Sequence, residues 1–364
     1  MTYYDTSFFL GSNTPSGFHS LFPDVFTSPK RRVFILKGGP GTGKSGLMKK
    51  AAKALECEGA AVEKVYCSSD PESLDAVIFP QIDHCIVDGT SPHVLEPRLP
   101  GVCEEIVNLG EFWESDKLRA VAAPVSDLTH RCSAMHKRCV KFLDAACSGM
   151  DDIKTVLGCS VNREKLDRYT ARLASRKFGS SKGTTGHESL RYINAVTKNG
   201  NMFFSNTAQI LCDDIIILND PYSIVSPLLI NSLRITALEN GYDVISGIDP
   251  LSRSHERKHL IVPETGFGIF TQDFFLETGL MHGKKVNAER FMESSAIKEH
   301  RQRVNFAEKM AAELLDEAYL SLEKAKGMHD ELEKFYIDAM NFEKVGEKTE
   351  EIIKTLVDAF SKTA

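Results

Sequence analysis

The chain has no run of about 18 apolar residues, the length a helix needs to cross a bilayer, so no part of it is expected to span a membrane. It has no excess of positive charge either. Its 44 lysines and arginines face 50 aspartates and glutamates, a formal net charge of -6, which argues against a general nucleic-acid or polyanion binder. No basic residue precedes the apolar patch within Met1 to Phe18, so no secretory signal is visible. Nine cysteines are present without a Cys-x-x-Cys pair, and they read as buried thiols in a reducing cytoplasm. Cys132, His136 and Cys139 fall at i, i+4 and i+7 and would share one helix face. A metal site there wants a fourth ligand, and ordinary helix packing is the simpler reading.

With 42% hydrophobic and 26% charged residues over 364 positions, the chain is expected to form two or three globular domains. Its most informative stretch begins at an apolar run, Val33 to Leu36. That run gives way to Gly38-Gly39-Pro40-Gly41-Thr42-Gly43-Lys44-Ser45, and then to Leu47, Met48, Ala51, Ala52 and Leu55 at helical spacing. Strand, glycine loop and helix in this order are the context of a Walker A phosphate-binding loop. Gly38, Gly41 and Gly43 let successive backbone N–H groups turn inward toward an anion, and the helix N-terminus adds its positive dipole. Lys44 would reach the β- and γ-phosphates of a nucleoside triphosphate, and the Ser45 hydroxyl would ligate Mg²⁺. The competing reading is a glycine-rich turn that binds nothing. Lys30, Arg31, Arg32 and Lys37 stand beside the loop and serve it or solvent.

The sequence is also written twice. Val33 to Val62 aligns without a gap on Ile215 to Val244, and Val77-Ile78-Phe79-Pro80 meets Leu260-Ile261-Val262-Pro263 after one inserted residue. Phe9, Ser12 and Gly17 match Phe178, Ser181 and Gly186 ahead of the strand. Gly149-Met150-Asp151-Asp152 matches Gly327-Met328-His329-Asp330, and Asn162 to Leu166 matches Asn341 to Val345. A tandem duplication with its seam near residues 174–178 is expected, giving domains 1–175 and 176–364. In the second copy Asn219 to Pro227 replaces the loop and contains no glycine. Asp220 would put a negative charge where the anion belongs, and Pro227 suits a helix start. That copy reads as degenerate, structural or regulatory.

Each half predicts an α/β arrangement, a mainly parallel sheet flanked by helices, followed by a helical appendage. In the first half the expected elements are strands at Val33–Leu36, Val62–Cys67, Ala76–Phe79, Cys85–Val87 and Ile106–Leu109, with a helix over Lys44–Cys57 ended by Gly59. The appendages cover about Glu111 to Leu173 and Asn287 to Ala364. In the second, Gly327 and the polar residues after it suggest a helical hairpin. These appendages read as packed arms, with a lid or a protein-partner surface as alternatives.

A nucleotide site of this kind needs a carboxylate at the end of a neighbouring strand, and Cys85-Ile86-Val87-Asp88 supplies one. Asp88 is followed by Gly89, not by a glutamate that would orient water, so slow hydrolysis is expected. Asp70 stands where small-molecule kinases place the carboxylate that accepts a substrate proton, or else caps a short helix starting at Pro71. His93 would meet a phosphate or pack within its loop. Arg98 and Arg119 would supply transition-state charge or lie at the surface. The second copy ends the corresponding strand in Thr271-Gln272-Asp273, so the Asp88 position is not preserved there.

The Gly38 to Ser45 loop is similar to those of AAA-type ATPases. Together with Ser68-Ser69-Asp70-Pro71, Val87 to His93 and Asn108 to Trp113, it resembles a family of uncharacterised bacterial ATPases built from two P-loop repeats. That resemblance covers nearly the whole chain and implies binding and hydrolysis of ATP with Mg²⁺. The family usually carries a phosphate loop in both halves, and this sequence departs from it at Asn219 to Pro227. A cytoplasmic, Mg²⁺-dependent nucleoside triphosphatase with one active copy is the expectation. A small-molecule or nucleotide kinase using Asp70 and a nucleotide-gated interaction protein are the alternatives.

Overall fold

The computed structural model describes residues 5–26, 30–293 and 295–363; the first four residues of the stretch read for a leader lie outside them. The first half runs β1 (Thr6–Phe9), β2 (Gly11–Thr14), β3 (Gly17–Ser20), α1 (Phe22–Phe26), β4 (Arg32–Lys37), α2 (Lys44–Cys57), β5 (Glu63–Tyr66), β6 (Leu74–Phe79), β7 (His84–Asp88) and β8 (Glu104–Asn108). Helices α3 (Ser115–Ala120), α4 (Ala122–Gly158) and α5 (Arg163–Lys177) follow. The second half repeats the plan with β9 (Glu188–Arg191), β10 (Asn194–Thr197), β11 (Gly200–Phe203), α6 (Ser205–Leu211), β12 (Asp214–Asn219), α7 (Ser226–Glu239), β13 (Val244–Ile248), β14 (Arg257–Val262), β15 (Phe267–Gln272) and β16 (Lys284–Asn287). It ends in α8 (Ala296–Glu299), α9 (Arg301–Ile337) and α10 (Phe342–Ser361).

The fold is α/β, with two sheet-and-helix halves. One six-stranded sheet has the order β1-β5-β6-β7-β4-β8 and the other β9-β13-β14-β15-β12-β16, the same topology twice. Both sheets are mixed. The strands are mostly parallel, but β6 runs antiparallel to β5 and β7, and β14 runs antiparallel to β13 and β15. The short links at Pro80–Asp83 and Pro263–Gly266 explain this, because so few residues reverse the chain but cannot cross over to a parallel neighbour. Val33 to Leu36 and Ile215 to Leu218 are buried as continuous apolar runs, as central strands covered on both faces require.

The equivalences sharpen the repeat. Leu36 pairs with Asp88 and Leu218 with Thr271, so Asp88 and Thr271 occupy the same place. The matches of Phe9, Ser12 and Gly17 to Phe178, Ser181 and Gly186 do not hold, because β1 to β3 correspond to β9 to β11. Thr14 Oγ1 donates to the Gly17 carbonyl at 2.7 Å, and Thr197 Oγ1 donates to that of Gly200 at 2.9 Å, so the hairpin partner of Gly17 is Gly200. Residues 178–186 form a connection and no strand.

The compact units do not divide at the 175/176 seam. One comprises Met1–Ser12, Phe18–Arg138 and Leu320–Ala364, the other Asn13–Gly17 and Cys139–Tyr319. The final helix of each copy packs on the first long helix of the other. In the first unit Ile352 and Leu356 of α10 join Leu47, Ala51 and Leu55 of α2 in one apolar cluster. In the second, Leu166, Leu173 and Ala174 of α5 join Leu229, Ile230 and Leu233 of α7. Both docking helices begin with an asparagine cap, Asn162 Oδ1 accepting from Lys165 N and Asn341 Oδ1 from Lys344 N. Each cap's own N–H donates to a phenylalanine carbonyl that follows the sheet, Asn162 to Phe291 and Asn341 to Phe112. The hairpin turn expected at Gly327 is absent. Helix α9 runs through that glycine to Ile337, and the chain turns at residues 338–341. One mid-helix glycine costs only about 1 kcal/mol, which the buried stripe of Ala318, Leu322, Ala325 and Leu332 outweighs.

Truncating Leu356 to Ala should cost about 2–5 kcal/mol, because it opens a cavity between α10 and α2. The chain's single tryptophan, Trp113, lies in the first unit. Urea unfolding followed by its fluorescence should therefore show a lower midpoint. A fragment of residues 1–175 lacks α10 and should fail to give a cooperative transition.

Candidate functional site

The loop from Gly38 to Ser45 turns tightly out of β4 into α2, with Gly41 at φ 70° and Gly43 at φ 91°. An L-residue pays a steric cost in that left-handed region that glycine avoids. Gly43 stands at the helix N-cap without a side-chain cap, so the first amides of α2 have no side-chain acceptor of that kind. Thr42 Oγ1 closes the turn by donating to the Gly39 carbonyl at 2.9 Å. Lys44 Nζ donates to the carbonyls of Gly38 at 3.0 Å and Gly39 at 2.8 Å. The same ammonium lies 3.6 Å from Asp88 Oδ2, both side chains being largely buried. Ser45 Oγ, at the start of α2, accepts from Leu74 N at 3.0 Å.

Asp88 is held in place. Its Oδ1 accepts from Thr90 N at 2.9 Å and Thr90 Oγ1 at 2.6 Å, which leaves Oδ2 toward Lys44. Lys37 braces the following loop, donating to the carbonyls of Gly89 and Leu95, each at 2.9 Å, and pairing with Glu96. Gly89 has no room for a side chain, since a Cβ there would stand 2.4 Å from Ile35 Cγ2. The glutamate missing after Asp88 is thus excluded by packing.

The other sequence candidates separate. Asp70 caps no helix; residues 71–73 form a turn in which Ser73 Oγ donates to Asp70 Oδ2 at 2.9 Å. Burial opposes its charge, but the Ser73 hydroxyl and Lys326, 3.4 Å away, hold its carboxyl below the usual range. A carboxylate so stabilised is a weak proton acceptor. His93 is buried 2.9 Å from Asp75 and stacked on Phe22. Arg98 is exposed, and Arg119 pairs with Asp116 on α3 at the surface. Cys132, His136 and Cys139 do not gather; among the described residues the groups with metal-ligand spacing are Cys67–Asp75–His93 and His329–Asp330–Glu333.

What the local sequence did not reveal is the cover over the loop. A Cβ on Gly39 would lie 2.5 Å from the Tyr336 ring, and one on Gly41 would lie 2.8 Å from the Glu333 carbonyl. The last turns of α9 therefore rest on the glycine loop. Lys326, Glu333 and Tyr336 stand too far along the chain for any spacing rule to connect them with it.

In the second copy the same helix end is closed from within. Asp220, 1% exposed, accepts from Val225 N at 2.8 Å and Ser226 N at 2.7 Å, at the start of α7. Burial raises the pKa of its carboxyl, partly offset by these donors. Ser223 Oγ donates to Asp273 at 2.7 Å. Asp273 in turn lies 2.6 Å from the ammonium of Lys258, whose other partner is Asp249 at 3.4 Å. Burial disfavours that lysine's charge, but the two carboxylates outweigh it and hold its pKa above the usual range.

No family model matches the chain, and neither does any curated protein or solved structure with which it was compared.

Replacing Asp220 with Ala would leave buried amides at the start of α7 without their acceptor. A loss of about 1–3 kcal/mol in unfolding free energy is expected, read by chemical denaturation. An unchanged stability would show that water satisfies those amides equally well.

Proposed function

We propose that the first unit binds a nucleoside triphosphate, ATP, with Mg²⁺, and hydrolyses it slowly. The observation that carries this reading is one arrangement: the glycine loop opening a long helix, with the Lys44 ammonium 3.6 Å from Asp88 on the adjacent parallel strand. Backbone amides, an ammonium, a hydroxyl and a carboxylate are the donor set that a polyphosphate with a hard cation requires. The second copy supports the reading by contrast, because there a carboxylate of the chain itself takes the helix-end amides.

In this proposal the amides of Gly41 to Ser45 hold the β-phosphate, and Lys44 leaves the Gly38 and Gly39 carbonyls to bridge the β- and γ-phosphate oxygens. Ser45 Oγ and Asp88, the latter through water, would hold the cation. Bound Mg²⁺ would neutralise charge that develops on the phosphate oxygens. Thr90 positions Asp88, and Lys37 fixes the loop behind it. With Gly89 after Asp88, the chain offers no carboxylate there to orient water, which is the reason for slow turnover. Kinase chemistry through Asp70 is less well supported, because Ser73 and Lys326 already engage that carboxylate. The contact of α9 with Gly39 and Gly41 favours a second reading, in which nucleotide acts as a switch on the arms and turnover only resets it.

Lys44→Ala should weaken ATP binding at least tenfold, with little change in the melting temperature of the ligand-free protein. Calorimetric titration with a non-hydrolysable analogue should give one site per chain; two comparable sites would overturn the single-site reading. Asp88→Asn should abolish release of labelled phosphate, whereas Asp70→Asn should spare it. The reverse pattern would favour the kinase. Tight binding without any phosphate release would leave the switch and remove the hydrolase.

A further inference from the structure

Outside the glycine loop, the first unit holds a second polar cluster, made by Cys67 after β5, Asp75 in β6 and His93 in the loop after β7. Their ligand atoms all lie within 4.8 Å of one another. His93 Nε2 is 2.9 Å from Asp75 Oδ2, and both side chains are more than nine-tenths buried. The imidazole is clamped between Phe22, with ring centroids 4.4 Å apart, and the edge of Phe18 at 5.1 Å. Its Nδ1 is buried with no hydrogen-bond partner, and so is the nearby Ser68 Oγ. Burial and the neighbouring Asp75 carboxylate push the Cys67 thiol well above its usual range, offset only in part by the backbone amides of Ser69 and Asp70.

The second unit shows what this place in the fold accommodates. The strand pair β5–β6 has a register shift just before Tyr66↔Leu74, and β13–β14 has one just before Ile248↔Arg257. Cys67 and Asp75 therefore correspond to Asp249 and Lys258, the residues immediately following. Asp249 Oδ1 accepts from Leu251 N, two residues on. There the node holds a buried cation, the Lys258 ammonium, between Asp249 and Asp273. In the first unit the lysine position carries Asp75, a ligand.

We propose that Cys67, Asp75 and His93 form a site for one divalent transition-metal ion, Zn²⁺, held by Cys67 Sγ, an Asp75 carboxylate oxygen and an imidazole nitrogen of His93, with the fourth position left to a solvent oxygen. A thiolate, an imidazole and a carboxylate at close range, pre-oriented by aromatic packing, suit zinc and not magnesium or calcium. Binding replaces the Cys67 S–H bond with an S–metal bond and releases that proton to solvent, so affinity rises with pH. The ion would pin the turn from Cys67 to Ser73 that carries Asp70.

The chelator-treated full chain, titrated with Co²⁺ as the probe, should take up one equivalent and develop a near-ultraviolet thiolate-to-cobalt charge-transfer band that Zn²⁺ removes. Cys67→Ser should lose the band, and Asp75→Asn and His93→Gln should weaken uptake at least tenfold. Changing the exposed Cys57 and Cys159 to Ser should alter nothing. X-ray absorption of the zinc-loaded wild type should show a single sulfur among nitrogen and oxygen neighbours, which keeps the test decisive even if the Cys67 variant fails to fold. No band in the wild type, a band that survives Cys67→Ser, or two sulfur neighbours would each overturn the proposal.

Discussion

A helix that starts at the end of a buried strand presents its first amides to a region with little water, and those amides must find an acceptor. The two units differ at this point. In the second unit Asp220 folds back onto Val225 and Ser226, so the helix end is satisfied by the chain. In the first unit the equivalent residue is Gly38, which has no side chain, and the lysine beside the helix start leans on loop carbonyls instead. One arrangement is complete by itself; the other has no side-chain cap at its helix start, and the proposed anion would supply the acceptor. The proposed division of labour between the two copies follows from that difference at a single position.

The same logic runs through the charged side chains nearby. Lys258 in the second unit is a buried cation neutralised by two carboxylates, a closed circuit that needs nothing from solution. In the first unit the corresponding positions carry Cys67 and Asp75, which gather with His93 in the proposed metal site. The two halves share the backbone arrangement, including the register shift in the strand pair, and differ in the side chains placed there.

Exchange of the terminal helices makes the two copies interdependent. Each sheet has its long helix covered by a helix that comes from the far end of the other copy, and the caps Asn162 and Asn341 fix both docks by identical hydrogen bonds. The arm that delivers α10 to the first unit also rests on Gly39 and Gly41. Any change in that loop is therefore felt by α9 through direct packing.

The strand–loop–helix from Val33 to Cys57, the repeat of the plan in two halves and the absence of glycine from Asn219 to Pro227 were all readable from residue order, because each depends on local pattern: apolar runs, glycine spacing and helical periodicity. The match of Asn162 to Leu166 with Asn341 to Val345 was readable too, but that both asparagines cap helices came from the structure. Which helix packs on which sheet was not, since α5 and α10 carry similar apolar stripes and sequence cannot say which of two similar surfaces each will cover. The antiparallel turn of β6, the run of α9 through Gly327, the engagement of Asp70 by Lys326 and the gathering of Cys67 with Asp75 and His93 were likewise settled only in three dimensions. Each depends on contacts between residues far apart in the chain, and the packing that selects such contacts leaves no periodic trace in the sequence.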